Sequence, residues 1–274
     1  MNKTATSPKE SKFKSNFAAL AIPILVGIGI CIYVFVLGNP NNFEGGDPNN
    51  HPVPDGIRHA MGLVYKGGYI VPILISLVLM SITFSIERFL TINKAQGKGS
   101  AEAFVRKVQN HLSNGNVDAA IAECDKQQGS VANVVKSTLG KYKEMESTSH
   151  MDKDQKILAI QKELEESTTL ELPMLEKNLV IIATMASVST LVALLGTVLG
   201  MIKAFSALGN AGAPDSVALA NGISEALINT ALGIANSAVA IIMYNVFTTK
   251  IDKITYTIDE AGFSIVQTFA ERNK

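Results

Sequence analysis

Residues 179–208 read LVIIATMASVSTLVALLGTVLGMIKAFSAL. This stretch holds a single charge, Lys203, near its end, and as a helix it is long enough to cross a hydrocarbon core of about 30 Å. Three other stretches share its character. Residues 222–247 carry only Glu225, near their beginning, and residues 17–37 carry no charge. Residues 69–86, YIVPILISLVLMSITFSI, close on Glu87-Arg88. A helix of a soluble domain is apolar along one face, whereas these are apolar on almost every side. They predict an all-α, polytopic membrane protein with four transmembrane helices.

The rest of the composition narrows the function by exclusion. The 274 residues are 47% hydrophobic and 18% charged, with 24 basic residues balancing 24 acidic ones. Zero net charge lacks the basic footprint that nucleic acid requires. Cys31 falls in a span and Cys124 in a soluble segment, so the two cysteines do not pair. The histidines at 51, 59, 111 and 150 show no metal-ligand spacing. There is no G-x-x-x-x-G-K-[ST], G-x-S-x-G or H-E-x-x-H motif. No cofactor, metal or enzymatic centre is expected.

Lysine and arginine set the expected orientation. Residues 1–16 form a basic tail with Lys3, Lys9, Lys12 and Lys14, while 38–68 carry only Arg58 and Lys66 and 209–221 carry none. The tail 248–274 has Lys250, Lys253, Arg272 and Lys274. The termini and residues 88–178 are therefore expected in the cytoplasm, and the loops 38–68 and 209–221 outside it. The apolar core of 17–37 is longer than a signal peptide's, and no A-x-A site follows, so it is read as a retained extra span. The second span is placed at 69–87, the third at 179–208 and the fourth at 222–247.

Residues 38–56 are rich in Asn, Gly and Pro and read as an exposed loop. Apolar residues at helical spacing (Phe104, Val105, Val108, Leu112, then Ala119, Ala120, Ile121, then Val131, Val134, Val135, Leu139) predict two or three short helices. The breaks fall at Asn114-Gly115-Asn116 and Gln128-Gly129. A charged helix over 152–177 is expected to run straight into the third span, with Pro173 kinking it or beginning the membrane helix. The fourth span is expected to continue into the tail, where Ile251, Ile254, Ile258, Ile265 and Phe269 repeat helically. The last two spans thus extend into the cytoplasm, beside a helical cytoplasmic domain.

On a helical wheel the third span divides sharply. Ala186, Ser189, Thr190, Ala193, Gly196, Thr197, Gly200 and Ala204 share one face, and large apolar residues fill the other. Small residues let another helix approach closely, so Ala193, Gly196, Gly200 and Gly233 of the fourth span are assigned to close packing. On the fourth span Glu225, Asn229, Thr230, Gly233, Asn236 and Ser237 share one side. Ser and Thr in such stripes usually pack helices, but a carboxylate with two amides on one face suggests a polar path. Lys203 and Glu225 each lie about three residues from the outer ends of their helices, at a depth where opposite charges can pair and offset part of each other's desolvation.

LLGTVLGMIKAF (residues 194–205) and ISEALINTALGIANSAVAIIMYNVF (residues 223–247) resemble two membrane signatures of the MotA/TolQ/ExbB proton-channel family, and ExbB most. The Glu87-Arg88 pair and the run 119–124, AAIAEC, are similar more weakly. The resemblance implies a pentamer in the bacterial inner membrane, around a single-span ExbD/TolR-like partner whose membrane aspartate titrates. It makes Thr197 and Thr230 pore-lining and matches Glu225 to the family's glutamate on the fourth span; Asn229, Asn236 and Ser237, on the same face as Glu225, are placed with them along the proton pathway. It implies that the proton motive force is used to energise a TonB-like protein in transport across the outer membrane. Four departures stand out: the extra first span, Thr190 and Val239 where the family often has proline, and Lys203 where a small polar residue is usual. The alternatives are a TolQ-like use in envelope integrity and division, and, from a different class, a non-conducting membrane scaffold whose stripes only pack helices.

Overall fold

The computed structural model describes residues 17–54, 56–209 and 216–272, which are helical throughout apart from short connections. The basic tail expected at 1–16 and the centre of the loop expected at 209–221 lie outside the described residues. Four helical stretches, Phe17–Leu37, Gly68–Ser113, Lys153–Leu208 and Ser216–Arg272, contain segments long and apolar enough to cross a membrane. The chain is thus a polytopic, all-α membrane protein. It divides into two compact units, Met1–Phe84 with Ile181–Ile242, and Ser85–Val180 with Met243–Lys274.

In the first unit, α1 (Phe17–Cys31) continues as π-helical turns over Ile32–Leu37. The segment after it is not the plain loop its composition suggests. Asn42 is buried, and its Nδ2 donates to the carbonyls of Val36 (2.8 Å) and Leu37 (3.0 Å), which have no partner further along the helix. Phe43 is buried beside Tyr65, whose ring stacks on Tyr33 at 4.7 Å. Tyr65 ends α2 (Gly56–Tyr65), a helix inside the segment expected to be loop. Few side chains are available there, so one amide and three aromatic rings hold the segment against the end of α1.

α3 (Val71–Gln96) carries the second span well past the expected end at 87, because no breaker comes before Gly97, where φ is +83°. α8 (Leu179–Gly209) and α9 (Ser216–Arg272) carry the third and fourth. α9 begins at 216 rather than 222, so residues 216–221 are helix and not loop.

The second unit holds α4 (Ala101–Ser113), α5 (Val117–Gln127), α6 (Gly129–Ser147) and α7 (Lys153–Glu176). Their starts are marked locally: Ser100 accepts from Ala103 N–H, Asn116 from Ala119 N–H, and Asp152 with Gln155 forms a capping box. Phe104, Val105, Val108, Leu112, Val131, Val134, Val135 and Leu139 are buried, as are Ile251, Ile254, Ile258, Ile265 and Phe269 of α9. Tyr142 meets the edge of Phe269 at 4.9 Å.

The charged helix does not run straight into the third span, because α7 stops at Glu176 and Asn178 adopts φ +64°. Pro173 does not start α8; it lies inside α7, and its carbonyl accepts from Lys177 N–H at 3.0 Å. Arg88, 2% exposed, explains the stop. Its Nη1 donates to the carbonyls of Met174 (3.4 Å) and Leu175 (3.3 Å), which a continuing helix would give to residues 178 and 179. The guanidinium also pairs with Glu87 at 2.5 Å, and Glu87 accepts from Asn178 Nδ2 at 3.2 Å and Thr91 Oγ1 at 3.1 Å.

Candidate functional site

Ser189 on α8 and Glu225, Asn229, Asn236 and Ser237 on α9 are buried polar residues of the first unit. Ala186, Ser189, Ala193, Gly196, Gly200 and Ala204 are buried along α8 at spacings of three and four. The matching stripe on α9 is Gly222, Glu225, Ala226, Asn229, Gly233, Asn236, Ser237 and Ala240. Glycines let the two backbones touch. A Cβ on Gly200 would lie 2.8 Å from both Ala226 N and Gly222 O, and one on Gly222 2.7 Å from Ala204 N. A Cβ on Gly233 would meet Ala193 and come within 2.6 Å of Ser189 O. Thr190, expected on this face, is exposed. The stripe is therefore narrower than the wheel suggests, since the glycine contact admits only the residues nearest the second helix.

Thr197 and Thr230 are half-buried at the same level, and their hydroxyls hydrogen-bond to each other across the two helices. Each is also near a carbonyl one turn back on its own helix, Ala193 O and Ala226 O, both at 3.1 Å. A shallow depression on the surface of α8 is lined by Thr197, Val198, Met201, Ile202, Phe205 and Ser206.

Glu225 is 5% exposed, and its Oε2 accepts from Lys203 Nζ at 2.9 Å. The two charges that stood alone in their spans meet within one chain, the carboxylate inside and most of the lysine side chain on the surface.

Besides Glu225, three residues assigned to the proton pathway are buried within the chain. Asn229 is fully buried and its Nδ2 donates to Gly67 O at 2.9 Å. Asn236 Nδ2 donates to Ser189 Oγ at 2.7 Å, and Ser237 Oγ to Ala186 O at 2.6 Å. Their donor groups are used inside the chain, where an unpaired donor would be costly. A wheel shows which residues share an angle but not which neighbour waits there.

The sequence reading missed Gly67 and Gly68, the turn ahead of the second span. Gly68 has φ +77°, and a Cβ there would run into the Glu225 carboxylate. Two adjacent glycines before an apolar run were the available signal, but their partners are more than a hundred and fifty residues away. Among the described residues no three His, Cys, Asp or Glu side chains cluster so as to hold a metal ion.

Residues 130–260 match the model of the MotA/TolQ/ExbB proton channel family. A Synechocystis sp. protein named biopolymer transport protein ExbB-like 3 is 38% identical over 86 residues, which are 31% of this chain and 41% of the relative. The Tol-Pal system protein TolQ of Haemophilus influenzae is 39% identical over 84 residues, 31% of this chain and 37% of its own length. The protein of the same name from Pseudomonas aeruginosa is 25% identical over 179 residues, 65% of this chain and 78% of that protein. The chain spans less than half the length of the first two relatives. The resemblance read from the two membrane signatures is found by these comparisons as well, and relatives of both names match.

Proposed function

We propose, from the match of residues 130–260 to the MotA/TolQ/ExbB proton channel family, that this chain is a subunit of a proton-conducting assembly of the inner membrane. Several copies, five by family resemblance, surround an ExbD/TolR-like single-span partner that carries a membrane carboxyl group. Both termini lie in the cytoplasm, as the distribution of lysine and arginine favours. The assembly uses the proton motive force to drive a TonB-like protein in transport across the outer membrane. In the second reading it drives a TolQ-like function in the envelope, which the relatives named TolQ favour equally.

The observation that carries the reading is the Thr197–Thr230 hydroxyl pair. A proton crossing an apolar layer needs groups that both donate and accept, and a threonine hydroxyl does both without ionising. The pair sits where two helices meet over glycine, and Thr197 also borders a shallow groove on the chain's surface. A carboxyl group on a partner helix in that groove would exchange its proton with the pair. The Lys203–Glu225 pair lies toward the outer ends of the same helices and holds the mouth of the path in shape.

The test is proton flux into liposomes holding the assembled complex of this chain with its copurifying single-span protein. Thr197→Val and Thr230→Val keep the shape and remove the hydroxyl, and each is expected to lower flux with assembly intact. Undiminished flux in both variants overturns the assignment. An assembled wild type that carries no protons identifies a scaffold instead.

A further inference from the structure

Asn229 is fully buried and holds two elements at once. Its side chain lies over Gly196: a Cβ on that glycine would come within 2.8 Å of Asn229 Cβ and Nδ2 and 2.9 Å of its Cγ. Having crossed the bare backbone of α8, the amide reaches the Gly67 carbonyl at the entrance to the second span, 2.9 Å away. That carbonyl belongs to a turn with no slack. A Cβ on Gly67 would stand 2.5 Å from Val71 Cγ2 and 3.1 Å from Ile228 Cγ2, and Gly68 abuts Glu225. Residues 225, 228 and 229 of α9 therefore all bear on the Gly67-Gly68 turn, and the amide is the one that bonds to it.

The next residue on each helix is a threonine of the hydroxyl pair, Thr197 after Gly196 and Thr230 after Asn229. The spacing and rotation of the helices at this layer are thus set by what lies between Gly196 and Asn229, and the turn holds that side chain in place. We infer that Asn229 is the positioning residue of the Thr197–Thr230 pair, fastening α9 to the Gly67 carbonyl so that the two hydroxyls face each other. This rests on the reading of the pair as the proton-bearing element. Asn229 Oδ1 is buried and makes no hydrogen bond among the described residues, so the donor Nδ2 alone fixes the amide.

That asymmetry provides the test. Asn229→Asp keeps the size and the free oxygen but replaces the donor. An ionised carboxylate facing the Gly67 carbonyl repels it; a neutral carboxyl group donates to it and remakes the bond. The titratable groups around this layer are Glu225 one turn away on α9, Lys203 on α8, Tyr33 on the first span and Lys66 before the turn. Burial favours the neutral form of an introduced carboxyl group, and the paired charges of Lys203 and Glu225 largely cancel at this layer.

Flux is measured in liposomes for wild type, Asn229→Ala and Asn229→Asp, each divided by the amount of assembled complex, between about pH 8.5 and about pH 5.5, a span across which a buried carboxyl group titrates. Asn229→Ala is expected to lose about tenfold in flux at every pH, as for a misplaced reacting group. Asn229→Asp is expected to match it at high pH and to recover toward wild type as pH falls. Hydrogen exchange at residues 66–70, compared with wild type at the same pH, reads the bond without reference to conduction and should follow the same course. An Asn229→Ala variant that conducts like wild type, or an Asn229→Asp variant that stays at the Asn229→Ala level at every pH, in a conducting complex, overturns the positioning role and leaves the proton reading standing. If the assembled wild type carries no protons, the proton reading fails and the positioning role with it, while exchange still reports whether the amide holds the turn.

Discussion

Replacing Arg88 by Met removes the most deeply placed charge of the second unit while keeping an unbranched apolar stem. The guanidinium is 2% exposed and serves two clients, the Glu87 carboxylate at 2.5 Å and the α7 carbonyls of Met174 and Leu175 at 3.4 and 3.3 Å. Removing one partner of a buried ion pair costs about 3–5 kcal/mol, because the other charge is left behind. Glu87 is 24% exposed and keeps Asn178 and Thr91, so the low end applies to that part. The two long carbonyl bonds are weak, yet their loss leaves helix-end acceptors unpaired, at roughly 1 kcal/mol between them. A total of about 3–4 kcal/mol corresponds to a ~10²- to 10³-fold rise in local opening. Hydrogen exchange over residues 174–180 in nanodiscs measures it directly. Arg88→Lys, which keeps the charge but loses the fork, is expected to fall between. Glu87→Gln added to Arg88→Met removes the stranded carboxylate and is expected to recover ~1–2 kcal/mol. Exchange in Arg88→Met within about threefold of wild type, which is below 1 kcal/mol, would refute the capping role.

The close approach of α8 and α9 predicts that Gly200→Val fails to assemble, since its Cβ meets backbone atoms at 2.8 Å that have no freedom to move aside. Gly140→Ala on α6, where nothing lies within 4 Å, is the control, expected to stabilise by about 0.5–1 kcal/mol in thermal unfolding. For the outer pair, a double-mutant cycle of Lys203→Met and Glu225→Gln on complex stability should show coupling of about 1 kcal/mol, modest because the lysine is largely exposed; additive effects would remove the pair from the account. The Cys124 thiol is pushed up to about 12, by burial first and by neighbouring Asp125 second. It therefore stays neutral in the folded protein at pH 8, and iodoacetamide should label it only after unfolding, when its pKa returns to about 8.5. With the folded value above the unfolded one, its contribution to stability is whole below the unfolded pKa and is lost as pH rises through the folded one. Rapid labelling of the native chain at pH 8 would contradict this burial.

Much of the chain was legible because the signals are local. Four apolar stretches and the 3.6-residue spacing of Phe104, Val108, Leu112, Ile251, Ile254 and Ile258 need no knowledge of partners, since a helix fixes which side chains share a face. The small stripes of the third and fourth spans followed by the same rule, and so did the common depth of Thr197 with Thr230 and of Lys203 with Glu225. What a face meets is a different question. Asn229 and Thr230 are adjacent in sequence and were given one role, yet the first is buried against a carbonyl 162 residues away and the second meets a hydroxyl on α8. Arg88 ends a helix 86 residues further on, and Asn42 turns an apparently open loop back onto the first span. Each of these is a polar group whose energy depends on one distant partner at hydrogen-bond distance. Periodicity sets an angle about a helix axis, whereas partnership requires the position of a second axis, and only the packed chain supplies that.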